Sequence, residues 1–224
     1  MAENSPVISV DAKKKELVGN FKNPGKDWNI SGLPKEVMTY DYESDADGIA
    51  IPYGTYDIKR NEGFVNIGVS KNTAEFAVNS IEQWWLRYGI KHYPLAKNLL
   101  ICADGGGSNG SSNRLWKKSL QEFASKHSIS VTVCHYPPGT SKWNKIEHRM
   151  FSYISINWKG RPLESYETII NLISNTTTKK GLKVSAKIDK KEYEKGKKVP
   201  DKIFKSLNIE YYNKFPKWNY RIDP

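Results

Sequence analysis

Cysteine is scarce in this sequence: its 224 residues hold only Cys102 and Cys134. Each lies inside a short apolar run, not in a close-spaced ligand pattern, which points to two buried strand thiols and away from a zinc site or a disulfide. No run of about 18 apolar residues occurs, and polar residues follow Met1 where a secretory signal would be apolar. We therefore expect a soluble, cytoplasmic protein with no membrane partner. Negative charge is also in short supply. The 24 Asp and Glu face 35 Lys and Arg, for a net charge of +11. Such an excess favours a polyanionic partner, nucleic acid first, through counterion release, although many basic surfaces only solubilise.

Apolar material is sufficient for a core, with 38% hydrophobic residues, seven Trp and thirteen Tyr. The length fits one domain with a peripheral extension. A β-rich run over 7–10 ends on Asp11, and runs over 48–58 and 64–69 read as two further strands of an antiparallel meander. Over 73–88, Phe76, Ala77, Ile81, Trp84, Trp85 and Tyr88 recur at helical spacing, so both tryptophans are assigned to the core. Two continuous apolar runs, 98–103 and 130–135, read as buried strands. The first is closed by Asp104 and three glycines, the second by Pro137-Pro138-Gly139. Ser111 and Ser112 offer N-caps for a helix running to about Lys126, and further helices are expected over 143–158 and 163–174.

Three strands followed by alternating helices and strands predict an α/β fold, an RNase H-like mixed sheet of five strands flanked by helices. A doubly wound nucleotide-binding sheet is the alternative, but Gly105-Gly106-Gly107 lacks the dinucleotide spacing and no phosphate-loop lysine follows. From 179 to 205 the composition shifts to eleven Lys against Asp189, Glu192, Glu194 and Asp201. We read 1–178 as the main domain and 179–224 as a basic C-terminal extension packed on it or trailing from it. Its lysines form either a solvated face or a contact to a nucleic-acid backbone.

Asp11 and Asp104 each close an apolar strand, and Glu147 lies in an amphipathic helix. An Asp after a strand is commonly only a turn former. If the two strands are parallel neighbours, however, the carboxylates emerge side by side. Three convergent carboxylates suit hard divalent cations, which take oxygen ligands and keep positions open for water and phosphate. Two such ions would serve phosphodiester chemistry.

The runs Ala103-Asp104-Gly105-Gly106-Gly107-Ser108-Asn109-Gly110 and Pro137-Pro138-Gly139-Thr140-Ser141-Lys142-Trp143-Asn144-Lys145-Ile146-Glu147-His148-Arg149 resemble the second and third acidic motifs of the ISAzo-thirteen family of insertion-sequence transposases. Val10-Asp11-Ala12-Lys13-Lys14-Lys15-Glu16, Ile51-Pro52-Tyr53-Gly54, Asn61-Glu62-Gly63, Thr176-Thr177-Thr178 and Trp218-Asn219-Tyr220 extend the resemblance over nearly the whole chain. It implies an RNase H-like DDE catalytic domain, distantly similar to mariner-type enzymes. Asp11, Asp104 and Glu147 would be its catalytic and metal-binding acids, with Mg2+ or Mn2+ as cofactor. The partners implied are transposon ends and target DNA, with homo-oligomers in a synaptic complex. Members of that family carry a helix-turn-helix-like recognition region before the first acid, so these residues are expected to lack it.

DNA contacts are expected at Lys13, Asn109, Lys142, Trp143, Asn144, Lys145 and Arg149. Asn144 either orients the acids, contacts DNA or caps the helix. Trp143 is assigned to packing in preference to base stacking. His135 and His148 are expected to hydrogen-bond without binding metal, because magnesium prefers oxygen. Two other readings stand beside the enzyme: a DNA-binding transposase remnant without productive chemistry, and an RNase H-like nuclease.

Overall fold

The computed structural model describes residues 5–33, 35–137 and 139–224, so Pro138 of the third acidic motif lies outside the described residues. Strand β1 (Val7–Ala12) is central. It pairs antiparallel with β3 (Gly48–Asp57), which pairs antiparallel with β4 (Glu62–Gly68), while β2 (Glu16–Val18) lies against the start of β3. On its other side β1 runs parallel to β5 (Asn98–Ala103), which is parallel to β6 (Ser130–His135). The order β4-β3-β1-β5-β6, with three antiparallel strands and then two parallel ones, is the expected mixed RNase H-like sheet.

The sheet is wider than the five strands expected. β7 (Lys183–Asp189) runs parallel on β4, and β9 (Asn219–Ile222) pairs with β6 and with β8 (Ile209–Tyr211), making nine strands among the described residues. The lysine-rich stretch and the residues after it thus supply both outer edges. Lys183 and Lys187 lie on β7, whose burial is broken and shallow, while its backbone satisfies the free edge of β4.

Alternation along the strands divides the core between two faces. Ile8 and Val10, Leu99, Ile101 and Ala103, and Val131 and Val133 all point to one side, where they meet α1 (Ala74–Trp84) and α3 (Arg114–His127). Thr73 caps α1 by accepting from the Phe76 amide at 3.2 Å. The helix runs on through a π-helical turn, Trp85–Gly89, into α2 (Ile90–His92), past the expected end at 88. Both Trp84 and Trp85 are buried there. The cap of α3 is Asn113, which accepts from the amides of Leu115 and Trp116 at 3.0 and 3.3 Å. Ser111 and Ser112 do not serve: the Ser111 amide is turned back to the Gly105 carbonyl at 3.4 Å and closes the glycine loop.

The opposite face carries a 3-10 turn at Ser141–Trp143, a π-helical turn at Glu147–Phe151, then α4 (Ser152–Asn157) and α5 (Tyr166–Ser174), capped by Ser165. Ile146, Met150, Phe151 and Ile154 of this layer pack on Val65 and Ile67 of β4. Gly54 makes that approach possible. It stands opposite Asp11 in the β1–β3 register, and a Cβ there would lie 2.7 Å from Ile146, Met150 and Phe151 at once. Gly63 plays the same part under Met150, where a Cβ would sit 2.1 Å from its sulfur. Among the described residues no helix is long and apolar enough to cross a membrane.

Candidate functional site

The parallel register pairs Val10 with Ala103, so the next residues, Asp11 near the end of β1 and Asp104 just past β5, lie at the same end of the sheet. Asp11 is held from two sides. Its Oδ1 accepts from the Ala12 amide at 2.8 Å, and its Oδ2 accepts from Asn144 Nδ2 at 3.3 Å. Asn144 is fully buried: its amide also donates to the Val10 carbonyl at 3.3 Å, and its oxygen accepts from the Ser9 hydroxyl. Ser9 in turn accepts from the Ile146 amide at 3.0 Å. All the polar atoms of the Asn144 side chain are thus engaged within the protein, on Ser9, Val10 and Asp11.

Asp104 is held through its side chain and its backbone. Asn109, buried to 2% exposure, donates to Oδ1 at 2.9 Å. His135 Nδ1 lies 2.8 Å from the Asp104 carbonyl, and its Nε2 lies 3.0 Å from the Tyr220 hydroxyl. That hydroxyl accepts from Trp116 Nε1 at 2.8 Å. A carbonyl only accepts, so Nδ1 carries the proton, Nε2 accepts from Tyr220, and every group in the chain is satisfied. Burial pushes the His135 imidazole down to about 4, which keeps the ring neutral.

Glu147 opens the π-helical turn, half-buried, with its amide on the Asn144 carbonyl at 3.2 Å. The three acids feel one another. Burial first, then the charges of Asp104 and Glu147, push the Asp11 carboxyl up to about 7. Burial raises Asp104 against the pull of the Asn109 hydrogen bond. Burial also raises Glu147, which Asp104 raises further and Lys13 and His148 lower. Lys13 is half-buried, its ammonium 4.7 Å from the Trp158 ring centroid and 3.8 Å from Glu16, and burial lowers its own pKa. As the side chains stand, no group of three or more His, Cys, Asp or Glu among the described residues is arranged to hold a metal ion.

Lys142, Trp143, Lys145, His148 and Arg149 lie on the turn beside the acids. Trp143 is 56% exposed, against the expectation that it packs, because the 3-10 turn carries it outside while Asn144 and Ile146 point inward. His148 hydrogen-bonds the Lys142 carbonyl and fastens the turn. Sequence reasoning missed Ser9, Gly54, Trp116 and the hydroxyl role of Tyr220. Gly54 and Tyr220 stand in motifs that carry the family resemblance, whereas Ser9 and Trp116 gave no local signal beyond their strand and helix.

Two solved structures align with the chain at 12% identity each. They are the Mos1 transposase paired-end complex with left transposon end, at a TM-score of 0.49, and the Mos1 mariner paired end complex with Mn, at 0.44. Each alignment covers 73% of this chain and 45% of the other, so the chain spans less than half the length of those solved chains. No curated protein matches it. The family profile described as Rhodopirellula transposase DDE domain matches residues 1–224, and the chain therefore belongs to that transposase family.

Proposed function

We propose that this domain cleaves and joins DNA phosphodiester bonds, with Asp11, Asp104 and Glu147 as the acids that hold divalent metal. The observation that carries the reading is the parallel register that sets Asp11 beside Asp104 at one sheet end, with Glu147 electrostatically coupled to both. The donor set fits magnesium or manganese: three oxygen-bearing side chains, partly desolvated and mutually repelling, whose ionised forms a divalent cation would stabilise. Such ions, two in number in this reading, would activate the attacking oxygen and stabilise the leaving one.

The chain's own residues prepare that chemistry. Asn144 and the Ala12 amide fix the plane of the Asp11 carboxylate, and Asn109 fixes that of Asp104. Lys13 offsets charge beside Glu147. Lys142, Lys145 and Arg149 neutralise phosphates of transposon-end or target DNA, and Trp143 offers a ring to an unstacked base. Residues 1–178 carry the acids and 179–224 close the sheet. Strand transfer between two ends calls for more than one copy.

A DNA-binding domain without chemistry is the second reading, for which the net charge of +11 is enough by itself. Nicking of supercoiled DNA in magnesium or manganese separates the two. The enzyme reading expects nicking that Asp104→Asn abolishes. Salt-sensitive binding with no nicking in either metal would establish the second reading instead.

A further inference from the structure

Where β5 and β6 lie side by side, the sheet turns its core residues toward α1 and α3, so the alternate residues face the other way. The only two cysteines of the chain are among them. Cys102 and Cys134 are both free and both half-buried, and they are direct register partners of the parallel ladder. Neighbouring strands lie about 4.8 Å apart, so the two side chains leave the same face next to each other. Tyr136, two residues beyond Cys134, continues that alternation just past the end of β6. Neither thiol takes part in the acid site, though Cys102 precedes Asp104 by two residues and Cys134 directly precedes His135.

We propose that Cys102 and Cys134 form a dithiol site for a trivalent arsenical, a soft centre that binds two adjacent sulfurs at once. Two sulfur donors fall short of the four ligands a structural zinc takes, and sulfur selects soft centres over the hard ions suited to carboxylates. A disulfide demands sulfurs at about 2.04 Å with a fixed dihedral angle, whereas a sulfur–arsenic–sulfur bridge leaves the two sulfurs farther apart. With phenylarsine oxide, two As–S bonds form and the As=O bond breaks. The two thiol hydrogens leave with the oxide oxygen as one water. Arsenic stays trivalent, nothing is oxidised or reduced, and no thiolate is required. The bridge ties β5 to β6 directly behind Asp104 and His135, so the adduct should melt above the free protein.

The test uses the full chain, reduced with a phosphine, desalted, treated with phenylarsine oxide and weighed intact. The expected result is one phenylarsenic group per monomer, retained on desalting, resistant to a monothiol and removed by 2,3-dimercaptopropanol. Non-reducing proteolysis should find the group joining the peptides of Cys102 and Cys134. Cys102→Ser and Cys134→Ser should each lose the retained adduct, and the wild-type peptide map decides the matter if either variant fails to fold. Two groups per chain, release by a monothiol, a bridge between chains, or retention in either single variant would overturn the site.

Discussion

Asn144 Nδ2 stands 3.3 Å from Asp11 Oδ2, a bond between residues 133 positions apart that ties the turn before Glu147 to the strand carrying the first acid. Because the same side chain also engages Ser9 and Val10, the carboxylate is oriented from a group with no conformational freedom left. Asn144→Ala should therefore cut metal-dependent nicking more than tenfold. It should also cost about 1–3 kcal/mol, since Ser9 and Val10 are left with unsatisfied buried groups. Nicking rates set beside thermal melts check this, and a variant that nicks at the wild-type rate would remove Asn144 from the site.

Gly54 should not tolerate a methyl group. Its Cβ would meet three side chains of the Glu147 layer at 2.7 Å, so Gly54→Ala should destabilise by about 1–3 kcal/mol and push that layer off β3. Nicking should fall further than stability alone explains. Urea melts and nicking assays on the same preparation test it. Unchanged activity with unchanged stability would mean the layer shifts freely.

The metal-free protein should lose stability as pH rises from about 4 to about 7. Asp11 has a folded-state pKa raised to about 7 from 3.8, so across that window the folded state binds more protons than the unfolded one, and stability falls with pH. His135 acts in the opposite sense. Its pKa drops from 6.5 to about 4 on folding, so its contribution is full above the unfolded value and is lost as pH falls through the folded one. The two partly cancel in the wild type. Asp11→Asn in chelator should flatten or reverse the decline, and His135→Gln should steepen it. Melting temperatures from pH 4 to 8 read both slopes, and identical profiles for wild type and Asp11→Asn would refute the assignment.

DNA binding should be weak, largely independent of sequence and steeply salt-dependent, through the cations beside the acids. Replacing Lys142, Lys145 and Arg149 together with Ala should make the plot of log affinity against log salt shallower, by about 0.9 for each phosphate that is no longer neutralised. Titrations of one duplex at several salt concentrations measure this. An unchanged slope would place the DNA elsewhere on the protein.

Much of this molecule is legible locally. The strands Asn98–Ala103 and Ser130–His135 coincide with the apolar runs that announce them, because a strand buried beneath helices needs no partner to define its ends once glycine, proline or a charge interrupts the run. The same local logic puts Asp104 just past its strand, while Asp11, expected to close its run, stays paired with Gly54 one residue before the end of β1. What hydrophobicity misjudges is the turn before Glu147, where it would bury Trp143 and expose Asn144. The fold does the reverse, since Ser9, Val10 and Asp11 satisfy a buried amide while Trp143 is left more than half exposed. Likewise, only the folded sheet shows that the lysine-rich C-terminal part supplies both outer edges. A strand's need for backbone partners is a property of the neighbour it joins and leaves no mark on its own composition. The parallel pairing that sets Asp11 beside Asp104, and the Trp116, Tyr220 and His135 chain that steadies the second aspartate, join residues far apart in sequence. Periodicity reports which face a residue takes within its own element; register between elements is decided only when the whole sheet closes.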